Sequence, residues 1–410
     1  GQVDAARDEV LELVLVGNPV MHHLFLGYDP TPLGRAPFTL AVDEALDLGA
    51  HNLTIEAHPA ARVHVLPCIA GHVGADTAAV ILATGLGKDV STGLGQQGQS
   101  TRLVVDVGTN AEIVLAGHDR VLAASSPTGP AFEGAQISSG QRATPGAIER
   151  VRIDGATGEP RFRIIGVDAW SDEDGFAEAA SSTGVTGICG SGIIEVVAEL
   201  WMAGLMDADG VIAGAGTKPS DRIVADGRTF SYVLFDPTEL GFDGDRVLIT
   251  QNDIRAIQLA KAALYAGIRL LMDHLDVETI DEIGLAGAFG SHIDTIRATV
   301  LGLVPDCDPD RVTSVGNAAG AGAAIALLSG TARRSITEVV DHIEKVETAL
   351  EPAFQDHFVA AMAIPHRTAD YPRLSTRITL PVRPDPSGAG SERSGRRRRR
   401  NDATREGKTP

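Results

Sequence analysis

The chain has 410 residues, 43% of them hydrophobic, and a formal net charge of −19 at pH 7. This length exceeds one ordinary core, so two lobes or domains are expected, and the acidity excludes nucleic acid as the main ligand because a phosphate backbone would be repelled. No run of about 18 uncharged apolar residues and no charged-then-apolar start occurs, so no membrane span or export signal is expected and the cytoplasm is the default compartment.

In chain order, strand-like and helical stretches alternate, an α/β pattern. Residues 1–16 read as a helix feeding a strand at 13–17, followed by a helix at 19–27 and a strand at 62–66. Val73–Leu86 is a small-residue helix ending at Gly85 or Gly87, with Asp76 in its first turn. A Gly/Gln/Ser-rich loop at 92–100 leads to strands at 103–107, 111–116 and 121–124. Strands at 159–165 and 229–234 and a helix at 192–204 form an insertion. A long helix at about 250–275, a strand at 283–287, a second small-residue helix at 315–328 and a helical segment at 334–357 follow. Past about residue 372 the composition is that of a disordered tail, with an arginine run at 396–400. Cys68, Cys189 and Cys307 lie far apart without Cys-x-x-Cys spacing, which suits free thiols and excludes an iron–sulfur cluster built by this chain alone.

The most informative stretch is Leu103–Glu112, an apolar strand running into Asp106, Gly108, Thr109 and Asn110. Gly108 lets the backbone turn and bring N–H groups against phosphate oxygens, and Asp106 can hold a hydrated magnesium ion. An unpaired carboxylate on such a strand costs several kcal/mol, so a cation or backbone donors should satisfy Asp106. The alternative is an ordinary hairpin turn in which Asn110 caps its own loop. The two small-residue helices can cross with their backbones nearly touching, as a hinge between lobes requires.

The order small helix, Asp-x-Gly-Thr turn, long insertion, strand to Gly-x-x-Gly and second small helix resembles that of actin and the sugar kinases. In that superfamily's terms the segments correspond to connect-1 (73–86), phosphate-2 (103–112), adenosine (283–290) and connect-2 (315–328). The implied fold is the α/β, two-lobe, ribonuclease-H-like ASKHA fold. More narrowly, Val16–Gly27, Thr128–Ala135, Gly187–Ile194 and Gln251–Ala263 resemble the C-terminal nucleotidase domain of the reductive activators of corrinoid proteins, over about residues 10–366. The resemblance implies ATP and Mg2+ as ligands. It also implies a partner corrinoid protein of a methyltransferase system, returned from Co(II) to Co(I), and a ferredoxin-like [2Fe–2S] electron donor. The family's earlier Asp-x-Gly-Thr-Thr turn, the phosphate-1 element, and its ferredoxin domain are not among these residues. The expectation is therefore a fragment or a split gene product, with 1–100 the remainder of the first lobe, 101–330 the second lobe, 331–372 a C-terminal helical segment and 373–410 the tail.

The resemblance also implies site roles. Asp76 falls near the residue that orients the attacking water, although a helix dipole favours a carboxylate there in any case. Glu133 either faces the γ-phosphate or a partner, or belongs to a structural turn. Gln258 and Lys261, one helical turn apart, match a grip on adenine and ribose, or a plain helix surface. Gly287, Gly290 and Gly316 leave room for a base, or for tight strand–helix packing. Gly190, Ser191 and Gly192 open a helix that can hold an anion, or contain a serine cap. The adjacent His22 and His23 point about 100° apart and cannot both ligate one metal. Two other functions stay open: a small-molecule kinase of the sugar-kinase type, with Asp76 or Glu133 catalytic, and a non-catalytic binding module that forms a homodimer.

Overall fold

A computed structural model describes residues 6–86, 100–214, 216–241, 243–287 and 293–382. The first lobe begins with a single 3-10 turn at Arg7–Glu9 in place of the expected helix. It then runs β1 (Glu12–Leu15), α1 (Pro19–Leu26), β2 (Leu46–Gly49), β3 (Arg62–Val65) and α2 (Ala75–Thr84). Asn18 sets the start of α1 by accepting from the Met21 amide at 2.9 Å, with Pro19 in the first turn, and Gly27 ends it in the left-handed region. β1 pairs parallel with β3, and β2 pairs antiparallel on the other side of β3.

The second lobe is built on a six-stranded sheet. β4 (Arg102–Val107), β5 (Ala111–Gly117) and β6 (Arg120–Ser126) form an antiparallel meander. An insertion follows: β7 (Ala147–Ile153), β8 (Pro160–Ile164), α3 (Phe176–Ala180), β9 (Gly187–Ile188), α4 (Gly190–Met202), β10 (Ile223–Asp226), β11 (Thr229–Phe235) and β12 (Val247–Thr250). The chain returns through α5 (Gln251–Leu275), β13 (Glu282–Ala286), α6 (Thr295–Leu301), β14 (Val312–Gly316), α7 (Ala318–Leu328), α8 (Gly330–Val340), β15 (Ile343–Lys345) and α9 (Phe354–Ala361). The sheet order is β14-β13-β4-β5-β6-β15, with β13 and β14 parallel to β4. A meander whose first strand is flanked by two parallel strands is the ribonuclease-H-like arrangement that the motif order implied.

Alternation along the strands decides what each face covers. Val104, Val114, Ala116, Val121 and Ala123 share one face and pack with buried residues of α2 and α7. The opposite face lies on α5, where Gly267 fits against Ile113 and Ser126. α2 and α7 do cross backbone to backbone: a Cβ on Gly322 would collide with the Ala79 carbonyl. Each Ile or Leu that α2 buries, such as Ile81, contributes about 1.5–3 kcal/mol.

Two boundaries differ from expectation. The 334–357 segment is not one helix, because β15 interrupts it and adds a parallel edge strand beside β6, with Ile343 packed on the core. Nor does a tail begin at residue 373: Asp306 accepts from the Arg373 and Leu374 amides, both at 2.9 Å, and Leu374 is fully buried. Residues 1–378 form one unit and 379–410 another. The arginine run lies outside the described residues. Among the described residues no helix is long and apolar enough to cross a membrane.

Candidate functional site

In the β4–β5 ladder Asp106 stands directly opposite Glu112, so both side chains emerge on the face that carries Val104 and Val114. The apolar ladder under α2 thus ends in two carboxylates. Asp76 meets them from the first turn of α2, whose entry is fixed by its amide donating to the Gly17 carbonyl at 3.3 Å. One Asp76 oxygen accepts from the Thr77 amide at 2.9 Å. Burial, reinforced by the charge of Asp76, pushes the Asp106 carboxyl up to about 6. Burial, then Asp76 and Asp106, push Glu112 up to about 8. Asp76 itself is raised, mainly by burial.

These three groups line a cleft of about 340 Å³ together with Asn18, His72, Thr109 and Glu133. Two larger hollows, of about 630 and 610 Å³, lie at the other ends of β4 and β13 and contain none of the candidate residues, and a third, of about 390 Å³, is lined by Gln258. The smaller cleft sits at the carboxyl ends of β4 and β13, where open α/β sheets place ligands.

The hairpin tip is held from below. Thr128 Oγ1 donates to the Gly108 and Thr109 carbonyls, each at 3.0 Å, and Thr109 Oγ1 donates to Glu133 Oε1 at 2.8 Å. Glu133 is therefore joined to the turn, at the end of a 3-10 segment, Pro130–Glu133. Gly108 has a different use from the expected one: its N–H donates to the Asn110 carbonyl at 2.9 Å and its φ is not left-handed. Its missing side chain instead keeps the cleft floor open. Thr109 and Asn110 are exposed at the tip.

Gly287 is required by conformation. Its φ is +118°, and a Cβ there would strike the Val107 carbonyl and lie 3.2 Å from Asp106 Oδ1. Gly316, at φ 62°, accepts from the Gly287 amide at 3.2 Å and so lies next to the glycine that touches the Asp106 turn. Gly290 lies outside the described residues. Gly190, Ser191 and Gly192 form the first turn of α4 after the cap Cys189, and all three are buried. Ser191 Oγ donates to the Glu149 carbonyl at 3.1 Å, and a Cβ on Gly192 would collide with the Ile148 carbonyl. Tight packing on β7 accounts for this sequence.

Gln258 and Lys261 are not on an open helix surface. Lys261 is fully buried, and its Nζ donates to the Ala363 and Pro365 carbonyls at 2.6 and 2.7 Å. The Gln258 amide donates to the Asp209 and Met362 carbonyls at 2.9 and 2.8 Å. Both fasten the C-terminal segment to α5 through backbone carbonyls, and neither lines the cleft at Asp106. His23 is structural too, with Nδ1 2.9 Å from the Pro19 carbonyl.

Sequence reasoning missed Glu112 and His72. Glu112 was findable: a turn centred on Gly108–Asn110 dictates the register that sets it opposite Asp106. His72 has no local signature. Its ring lies 4.3 Å from that of Phe38 and its Nδ1 3.7 Å from Glu347, contacts made by residues distant in sequence.

The donor set fits a hydrated cation. Asp106 takes no hydrogen bond among the described residues although it is largely buried, and the charge of Asp76 raises the negative potential beside it. Among the described residues no three His, Cys, Asp or Glu side chains are arranged to hold a metal by themselves. Mg2+ does not need them, since it keeps several waters and takes one or two carboxylates plus phosphate oxygens.

The chain is 34% identical over 357 residues to the corrinoid activation enzyme RamQ of Eubacterium limosum, covering 86% of this chain and 55% of that protein. It is 28% identical to the [Co(II) methylated amine-specific corrinoid protein] reductase of Methanosarcina barkeri, covering 74% and 53% respectively. A solved structure of a reductive activator for corrinoid, iron–sulfur protein superposes with a TM-score of 0.74 at 32% identity, over 88% of this chain and 54% of the other. The chain thus spans about half the length of the relatives it matches. Residues 2–89 match the RACo middle region and residues 100–375 match the C-terminal domain of RACo, the ASKHA domain, so the chain belongs to the RACo family of reductive activators.

Proposed function

We propose that this chain is the ATP-binding part of a reductive activator that helps return a corrinoid protein from Co(II) to Co(I), with the electron supplied by a [2Fe–2S] domain outside these residues. The observation that supports it is the meeting of Asp76, Asp106 and Glu112 at one end of the sheet, with Gly287 against Asp106. Asp106 would hold Mg2+, with phosphates over the Thr109–Asn110 tip and the base toward Gly287. Magnesium would neutralise phosphate charge. The protein's own part is to orient: Thr109 and Glu133 fix the tip, Asp76 stands at the first turn of α2, and the α2–α7 crossing lets one lobe move against the other. Nucleotide that binds across the cleft favours one lobe arrangement, and a partner that distinguishes the arrangements reads it.

The test is ATP binding and hydrolysis with Mg2+, with and without a Co(II)-state corrinoid protein, beside Asp106→Ala. Partner-stimulated turnover that disappears in the variant supports the reading. Phosphate transfer to a soluble acceptor without any corrinoid protein would replace it with a kinase. Absence of nucleotide binding would reduce the chain to a scaffold.

A further inference from the structure

The hollow of about 390 Å³ lies apart from the cleft at Asp106 and shares none of its lining residues. Three elements build it: the loop at 209–213 after α4, the tip of the β10–β11 hairpin and the first two turns of α5. The loop is fixed on α5. Gln251 Oε1 accepts from the Ile212 amide at 3.0 Å and its Nε2 donates to the Gly210 carbonyl at 2.7 Å, while Gln258, buried on the same helix face, donates to the Asp209 carbonyl at 2.9 Å. Asp207 gathers the loop from the other side by accepting from the Asp209 and Val211 amides at 3.0 and 2.8 Å. Ala213 stands at φ 54°, a left-handed backbone that an alanine holds only where its surroundings impose it. The walls are therefore set before any ligand arrives.

Two arginines set the chemistry. Arg228 stands in the two-residue turn between Asp226 and Thr229, and Arg255 lies on α5 between Gln251 and Gln258. Although the chain carries a net charge of −19, neither pairs with a carboxylate among the described residues. Asp209, the one carboxylate among the described lining residues, faces Arg367 at 4.0 Å. The lining thus holds unmatched positive charge, and beside it Phe230 and Val211 are 40% and 44% exposed. Guanidinium groups take carboxylate or phosphate oxygens in a fixed fork, and an aromatic face takes a flat apolar body. A concave site with apolar walls and a few polar groups in fixed positions is the usual form of a small-molecule site. We propose that this hollow is a second binding site, for a small molecule that joins a carboxylate or phosphate to an apolar or aromatic body: Arg228 and Arg255 hold the anion, and Phe230 and Val211 cover the body. The site stands independently of the nucleotide reading.

Phenyl phosphate and benzoate are the probes, titrated calorimetrically into the full chain, with amide hydrogen exchange locating the contact. At least one should bind and slow exchange at 226–230 and 251–258, and it should bind about tenfold or more tightly than inorganic phosphate or acetate, which lack the ring. Arg228→Gln and Arg255→Gln, both at exposed positions, should each weaken that binding about tenfold. Phe230→Ala should remove most of the advantage of the ring over the bare anion. A non-hydrolysable MgATP analogue should not displace the probe, and Asp106→Ala should bind it as the wild type does, which separates failure of this site from failure of the cleft. Binding of neither probe, equal binding of ring-bearing and bare anions, wild-type affinity in both arginine variants, or displacement by the MgATP analogue overturns the proposal.

Discussion

The two lobes run the same course and differ in what stands beside it. In the first, β1, α1, β3 and the small-residue helix α2 follow one another, with β2 added; in the second, β13, α6, β14 and the small-residue helix α7 do so. β13 is paired on both sides, by β14 and by β4, whereas among the described residues β1 is paired only by β3. The strand beside β13 is the one that delivers Asp106. The helices differ likewise: α6 buries Ala298, Val300 and Leu301, while α1 leaves Val20, Met21 and Leu24 at 44%, 63% and 61% exposure. Among the described residues, then, an antiparallel meander flanks this shared unit only in the second lobe, and on the proposed reading the phosphate contacts of this chain should come from that lobe.

The largest expected effect follows directly. Asp106→Ala removes the one carboxylate in the cleft that has no donor among the described residues, and should lower nucleotide turnover by about 10²-fold or more, read as kcat/KM with Mg2+. If an equal loss follows from changes confined to the first lobe's β1, the asymmetry is false. Next comes the joint between the lobes. Gly322→Val puts a branched side chain into the Ala79 carbonyl and should cost about 3 kcal/mol or more, seen as a lower midpoint in denaturant. A neutral outcome would mean that the crossing has slack, and that α2 and α7 are not the tight contact between lobes.

A third effect depends on pH. Asp106 and Glu112 have folded-state values raised to about 6 and about 8. A carboxyl whose folded value lies above its unfolded one favours the folded state when protonated, and that contribution is lost as pH rises through the folded value. Without ligand the chain should therefore lose stability between about pH 5 and pH 8. The groups facing the pair are Asp76, His72 and Glu133, and His72 is held low by burial and Lys345, so it adds no compensating cation. Glu112→Gln should flatten the upper part of the decline and stabilise the chain at pH 8 by on the order of 2 kcal/mol. A melting temperature unchanged by the substitution at pH 8 would show that water reaches Glu112 freely.

What the sequence disclosed and withheld follows from the range of each interaction. The Asp106 hairpin and the two small helices were legible because turn chemistry and a run of alanines and glycines are local. Glu112 was legible in principle, through register, but an isolated glutamate on a strand reads as solvated until its partner across the turn is named. Lys261 was misread because its burial depends on carbonyls about a hundred residues further on, at 363 and 365. β15 was missed for a similar reason: three residues gain strand character only by lying beside β6. The hollow beside Gln258 joins the 209–213 loop, the β10–β11 hairpin and α5, and no spacing rule connects them.

The smallest expected effect is the sharpest test of the comparison. Leu24→Asp on α1 replaces an exposed apolar side chain and should shift stability of this chain by no more than about 0.5 kcal/mol. Val300→Asp, in the corresponding α6, places an unpaired carboxylate in a fully buried position and should cost several kcal/mol. The contrast matters because helix sequence alone does not set it: both segments are short and largely apolar, and the difference lies in the cover supplied by α4. Were Leu24→Asp to destabilise the chain as much as Val300→Asp, α1 would be covered in solution, and the first lobe would have a neighbour equivalent to the one that β4 and α4 provide for the second.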